Sequence, residues 1–400
     1  MGSKDRVLCI DVLRGFALMG MVLVHFMVYY GDSRAADTWL YFFFNHVLGD
    51  WGAGAFLMMM GMSQVLSADR RALDNVRLFQ RAMVRGGYIF LVGILMLALS
   101  RGPAAIWRWD ILTLMGVSTV LLFFCRFMPS WLILLVGLLI AVATPLLRTG
   151  IDFAALWGGR AVQVPVISEF LPGILMDPAA EFEVIWKPKE ILLGFLLTGE
   201  FPLLPWFLFP LIGFILGRRI ANRRIESDLP FLAIIGGLLV CLGLGGAYAS
   251  LFRPGSSFIS DYLSPLSFYP DSFTMILYQL GMALLVFSCL YYCYDVRKRD
   301  FTEISFLQGL YIRTSRFSLT FYFLHYLLIG WPLAIVAWVT GRSAVAALLG
   351  AWHAFLAGLL GLVLLQVLLF FWEKGGAKCS LEWLLLAIMS RLTATRGERN

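Results

Sequence analysis

Apolar residues come in long runs along this chain, separated by short polar clusters. Ten stretches stand out: 8–30, 51–68, 86–100, 111–125, 131–147, 201–217, 230–250, 272–292, 317–340 and 345–372. A helix crossing a bilayer needs about 20 apolar residues, because the hydrocarbon core is about 30 Å thick and each residue rises about 1.5 Å. Within lipid the backbone must satisfy its own hydrogen bonds, which a helix does. The pattern therefore predicts an all-α polytopic membrane protein, a bundle of about ten transmembrane helices. Residues 1–400 read as a single membrane-embedded domain, with no repeat, low-complexity tract or soluble module.

The polar clusters orient the bundle. Lys and Arg gather in alternate loops: Arg70, Arg71, Arg77, Arg81 and Arg85 in one, Arg218, Arg219, Arg223 and Arg224 in another, Arg297, Lys298, Arg299, Arg313 and Arg316 in a third. The intervening loops are poorer in them, so these clusters mark the cytoplasmic side and both termini are expected there. The longest connection, about 148–200, then lies outside. It is acidic, with Asp152, Glu169, Asp177, Glu181 and Glu183 among its residues. It either covers a site on the outer face or caps the bundle.

Composition agrees with this reading. The chain of 400 residues is 60% hydrophobic and only 14% charged, with a mean hydropathy of +0.81. An ordinary soluble domain is excluded. The net charge of +7 sits in short loops rather than on one soluble face, which argues against nucleic acid. Arg14 interrupts the first span, so that span is not read as a cleaved signal peptide. The six cysteines form no CxxC pair and no Cys/His cluster, so neither a disulfide nor a metal is expected.

The first span carries Asp11, Arg14 and His25, and ionisable groups in lipid are costly enough to be functional by default. Eleven residues at 100° each bring His25 to within about 20° of Arg14, roughly 16 Å along the axis. Asp11 is one turn from Arg14 and forms a structural pair with it. A ligand that is anionic at one end and reactive at the other would fit this stripe, and acyl-coenzyme A has that form. A neutral imidazole at His25 would take a proton from an attacking hydroxyl or amine, or accept the acyl group itself. The bland alternative has Arg14 snorkelling to the interface and His25 bonded to a neighbouring helix.

The Arg-x10-His pattern in "DVLRGFALMGMVLVHF" resembles the first helix of transmembrane acyltransferases, which move acyl groups from cytoplasmic acyl-CoA to carbohydrate across a membrane. "FNHVLGDWGAGAFLMMMGMS", "LFQRAMVRGGYIFLVGIL", "WDILTLMGV", "FPLLPWFLFPLIGFILGRR", "SLTFYFLHYLLI" and "LEWLL" resemble, in order, the landmarks of the heparan-α-glucosaminide N-acetyltransferase-like and YeiB-like branch. The resemblance implies that Arg81 and Arg85 hold the CoA phosphates, with positive-inside anchoring as the competing account, and the stripe puts Arg14 beside them at the donor's anionic end. The chain departs from the animal branch, where an asparagine stands at the position of His25 and the catalytic histidine comes from the following loop. That loop here supplies His46, so two histidines compete for the catalytic role, with His25 favoured by the Arg14 spacing.

Further candidates follow from position. His46 and Asp50 are four apart before Trp51; with Asp110, Glu200 and Trp206 they fall at outer span ends and read as an acceptor wall, or as an aromatic belt. Tyr322 and His325, placed about a third of the way in from the cytoplasm, would contact the pantetheine arm or bond another helix. His353 reads as a packing histidine. Together these features predict an integral membrane acyltransferase that takes an acetyl or other short acyl group from acyl-CoA to a sugar, glycan or glycolipid hydroxyl or amine. The expected location is the bacterial plasma (inner) membrane. The partners are membrane lipids, the donor, the acceptor and, as an alternative to a monomer, a second copy forming a homodimer. The rival class is a transporter or exporter without acyl transfer, disfavoured by the missing inverted repeat.

Overall fold

The computed structural model describes residues 7–69, 74–101, 103–149, 151, 188–252, 262–297, 305–340 and 349–393. Most of the long 148–200 connection lies outside these residues, as do Arg70 and Arg71. Among the described residues twelve helices longer than one or two turns carry the fold. They are α1 (Leu8–Tyr30), α2 (Gly52–Asp69), α3 (Asn75–Arg101), α4 (Ile111–Cys125), α5 (Ser130–Arg148), α6 (Leu208–Ala221), α7 (Ile225–Ser250), α8 (Phe273–Tyr291), α9 (Phe306–Arg316), α10 (Ser318–Thr340), α11 (Ala351–Lys374) and α12 (Leu381–Thr393). Among the described residues there is no strand, only two isolated bridges. Each of the ten apolar stretches overlaps a helix, and among the described residues seven helical segments are long and apolar enough to cross a membrane by length and composition. The protein is an all-α polytopic membrane protein.

Breaks occur where the sequence removes hydrogen-bond donors or twists the ladder. The prolines of "FPLLPWFLFP" leave a four-residue helix, Leu203–Trp206, with Leu204 out of helical geometry (φ −106°, ψ 120°) before α6 begins. Among the described residues three π-helical stretches, Phe43–Gly49, Gly194–Thr198 and Tyr292–Val296, sit beside spans.

Close helix approach is built from glycine. A Cβ on Gly213 of α6 would stand 1.9 Å from the Met58 carbonyl of α2, and one on Gly61 of α2 would stand 2.2 Å from the Pro210 carbonyl. The pair Gly213 and Gly217 of the G-x-x-x-G segment thus serves the α2–α6 seam. Gly15 gives α1 the same access to α9, where Tyr311 presents its backbone. The core runs through α1, α2, α8 and α10, with Leu13, Leu57, Phe287 and Phe321 fully buried. Helices α5 and α7 turn large apolar side chains outward, among them Leu138, Leu139, Phe231 and Leu242. That is the face a helix gives to lipid.

Helix ends are closed over long sequence distances. The first N–H groups of α1 have no side-chain cap of their own. Asp295, beyond α8, accepts from Leu8 N and Cys9 N, each at 2.9 Å. Glu382 of α12 accepts from Leu319 N at 2.6 Å and Thr320 N at 3.0 Å at the start of α10, and from the Thr320 hydroxyl. A carboxylate at a helix N-terminus satisfies orphan donors and complements the dipole. Arg218 does the reverse at the end of α4, donating to the carbonyls of Cys125 and Arg126, each at 2.9 Å.

Candidate functional site

Helix α1 brings His25 against α10. His25 Nδ1 lies 3.0 Å from His325 Nε2, with the two rings stacked at 5.2 Å. His325 is fully buried, and its Nδ1 is hydrogen-bonded to the Tyr322 carbonyl one turn back. Tyr29 and Tyr326 flank the His25 ring at 5.6 and 5.4 Å. Three residues before His325, the Tyr322 hydroxyl donates to Asp110 Oδ2 at 2.9 Å. The other oxygen of Asp110 caps α4, accepting from Leu112 N at 3.0 Å. One polar chain thus runs from the N-terminus of α4 through Asp110, Tyr322 and His325 to His25. Tyr322 and His325 therefore stand at the level of His25 rather than at a separate, shallower point.

Trp109, immediately before Asp110, has φ 62°. A bulky residue rarely takes that left-handed conformation, and such strain persists where surrounding structure fixes it. Its indole donates to the Ile191 carbonyl at 3.1 Å, and its own carbonyl accepts from Phe201 N at 3.0 Å.

A second feature is basic. Arg81, Arg85, Arg126, Arg218 and Arg316 line one cavity of about 460 Å³, facing a single carboxylate, Glu382. Gln64 and Met389 complete part of its wall. An excess of guanidinium groups around one open cavity suits an anion with several oxygens. Arg14 is not on this wall. It is tied to the bundle by hydrogen bonds to Ser63 Oγ and, at 3.3 Å, Ser315 Oγ, while Ser315 donates to Asp11 at 2.8 Å. The Asp11–Arg14 pair spans 4.0 Å. Arg14 thus joins α1, α2 and α9, next to the cavity residue Gln64.

Of the residues read as an acceptor wall, Asp110, Glu200 and Trp206 lie on neighbouring segments, joined by Glu200 N to Arg108 O at 2.8 Å and Phe201 N to Trp109 O at 3.0 Å. His46 and Asp50 pair at 3.0 Å, with the histidine side chain 53% exposed. The hydrogen bond to Asp50 raises the His46 pKa above its ordinary value, against the opposing pull of partial burial. His46 also meets the rings of Tyr41 and Phe42. Trp51 is a correction: only 3% exposed, it donates to Val47 O at 2.8 Å and stacks on Phe16, so its ring belongs to the core. Trp206 is another, fully buried among Phe201, Phe209 and Phe268. Asp110 is fully buried and held by α4 and Tyr322. Glu200 is buried and pairs with Arg108 at 3.3 Å. His353, expected to pack, is exposed at the start of α11.

Sequence reasoning missed three positions. Asp295 and Glu382 cap helices that start far from them in sequence. Arg148, at the end of α5, donates to the carbonyls of Leu197, Leu204 and Asp271 and to Asp271 Oδ1 at 3.1 Å. Asp271 is fully enclosed, and burial raises its pKa despite Arg148. The readable signal was the type of residue, a charged group at the edge of an apolar run; its partner was not readable. Among the described residues no three His, Cys, Asp or Glu side chains converge as a metal site.

Residues 6–244 match the family described as heparan-alpha-glucosaminide N-acetyltransferase, catalytic. The matched stretch carries His25, His46, Arg81, Arg85 and Asp110; His325 and Glu382 lie beyond it. No curated protein matches the chain.

Proposed function

The chain belongs to the heparan-α-glucosaminide N-acetyltransferase catalytic family, and from that premise we propose that it transfers an acetyl or other short acyl group from acyl-CoA to a sugar hydroxyl or amine across the membrane. The family assignment makes it a membrane enzyme of the acetyltransferase type. The donor, the acceptor and the sidedness are the further reading. It treats 1–400 as one membrane-embedded domain, with both termini cytoplasmic, in a bacterial plasma membrane.

The observation that carries this reading is a shared wall. Glu382 lines the basic cavity and also caps α10, the helix that holds His325 against His25. Donor phosphates would sit with Arg81 and Arg85. From the α10 cap to His325 the rise is about 10 Å, so the pantetheine arm would follow that helix and present the thioester near His25. His25 would take the proton from the attacking hydroxyl or amine. The acyl carbon would bond to that oxygen or nitrogen as its bond to sulfur breaks. The proton would then pass to the CoA thiolate, leaving an acylated acceptor and free CoA. His46 with Asp50, exposed on the segment that packs against α1 at Val24, is read as an acceptor-side group.

The test uses purified full-length protein and radiolabelled acetyl-CoA with sugar amines and polyols as acceptors. His25→Ala is expected to lose on the order of 10²–10⁴-fold in transfer while still binding CoA. Arg81→Glu and Arg85→Glu are expected to weaken CoA binding severalfold. Normal turnover in His25→Ala with loss in His46→Ala would assign the base to the loop histidine. Unchanged CoA affinity in both arginine variants would remove the cavity from the donor site.

A further inference from the structure

We infer that His325 is a positioning residue that fixes which nitrogen of His25 is basic, by holding His25 in its Nδ1–H tautomer through the contact between His25 Nδ1 and His325 Nε2. The inference rests on the proposed base role of His25 only for its catalytic consequence; the tautomer follows from geometry alone.

The hydrogen bonds read in one direction. A backbone carbonyl can only accept, so the His325 nitrogen bonded to the Tyr322 carbonyl, Nδ1, must carry the proton. In a neutral imidazole the other nitrogen is then an acceptor, so His325 Nε2 offers a lone pair. Facing it at 3.0 Å is His25 Nδ1, which must therefore be the donor. That leaves the lone pair of His25 on Nε2, on the side of the ring turned away from His325.

The surroundings hold this arrangement. His325 is fully buried on α10, and its helix is anchored twice. The Tyr322 hydroxyl is held by Asp110 at 2.9 Å, and the helix start is held by Glu382. Stacking at 5.2 Å keeps the two imidazoles in register. The rings that face His25 include Tyr29 on its own helix and His325 and Tyr326 from α10. The group bonded to His25 Nδ1 is an imidazole nitrogen, so at this atom a neutral lone pair orients the ring. When His25 takes a proton on Nε2, its Nδ1–H still points at the His325 lone pair, which stabilises the imidazolium without leaving its place. This is the orienting task that a carboxylate performs in a serine-protease triad, where the wrong tautomer costs about 10⁴-fold.

The test is ¹⁵N NMR of the full-length protein with labelled histidine, practical because the chain has only 4 histidines. The His25 signals are assigned by their loss in His25→Gln. The expected result is a protonated Nδ1 and a bare Nε2 in the wild type. In His325→Ala, His25 is expected to move toward the Nε2–H form that an unconstrained imidazole favours. In His325→Gln the amide oxygen replaces the lone pair, and the Nδ1–H form should return. In the transfer assay His325→Ala should lower kcat on the order of 10²-fold or more with KM for the donor little changed, and Gln should restore much of it. A wild-type His25 protonated on Nε2, or a His325→Ala protein with unchanged His25 signals, overturns the inference. Glutamine as damaging as alanine in both assays also overturns it, because a lone pair in that place would then not be what matters. If instead His25→Ala transfers normally while the wild-type spectrum shows Nδ1–H, the base assignment fails and the tautomer stands.

Discussion

His46 shows how one contact sets a residue's chemistry. Its bond to Asp50 holds the proton on the imidazole, so its pKa in the folded protein lies above the usual value of about 6.5. A group whose folded pKa is raised adds stability that is complete below the unfolded pKa and is lost as pH rises through the folded one. The melting temperature should therefore fall as pH rises from about 6.5 through the folded pKa of His46. In Asp50→Asn that part of the slope should flatten, and an NMR titration should place His46 closer to 6.5. An unchanged titration in Asp50→Asn would mean that the pair is not formed in solution. The histidine side chain is half exposed, so the effect on stability is small even where the titration shift is clear.

Among the helices, backbone proximity decides what a substitution does. Gly213 and Gly237 are both helical glycines in apolar spans, and only the structure tells them apart. A methyl on Gly213 collides with the Met58 carbonyl, whereas one on Gly237 of α7 meets nothing within 4 Å. Gly213→Ala should lose about 1–3 kcal/mol as α2 and α6 are forced apart. Gly237→Ala should be neutral or gain up to about 1 kcal/mol from helix propensity. Thermal unfolding of the two variants in the same detergent checks this, and equal melting temperatures would contradict the seam. The apolar stretches, the proline break before α6 and the G-x-x-x-G segment were legible in the sequence because they are local patterns. The caps were not. Asp295 and Leu8 are 287 positions apart, and no periodicity links a carboxylate to a helix start at that distance. The same holds for His25 and His325, 300 positions apart. Arg14 and His25 could be put on one helix face from spacing alone. What each touches depends on α2, α9 and α10, whose placement spacing does not specify. Trp51 and Trp206 were misread for a related reason: a tryptophan at a span end looks alike in sequence whether it faces water or the core.

Over the whole molecule, buried charge pairs join distant segments, and that of Arg148 with Asp271 ties the end of α5 to the segments before α6 and α8. Arg148 spends its guanidinium on three backbone carbonyls and one carboxylate. Replacing it with methionine leaves Asp271 enclosed without its counter-ion, which typically costs about 3–5 kcal/mol. Adding Asp271→Asn to Arg148→Met should recover a large part of that loss, since the enclosed charge is gone. Melting temperatures of the single and double variants decide it. A double variant no more stable than Arg148→Met would mean that the carbonyl contacts, and not the charge, carry the tie.

The Asp295 cap on α1 also has a meaning in time. A chain is made from its N-terminus, so α1 leaves the ribosome before the other helices described above. Its two leading N–H groups wait for a carboxylate that is made 286 residues after Cys9, and His25 waits for a partner 300 residues away. The earliest of the twelve helices is thus among the last to be completed. A product that stops short of Asp295 holds α1 without this cap, and one that stops short of His325 holds His25 without that contact.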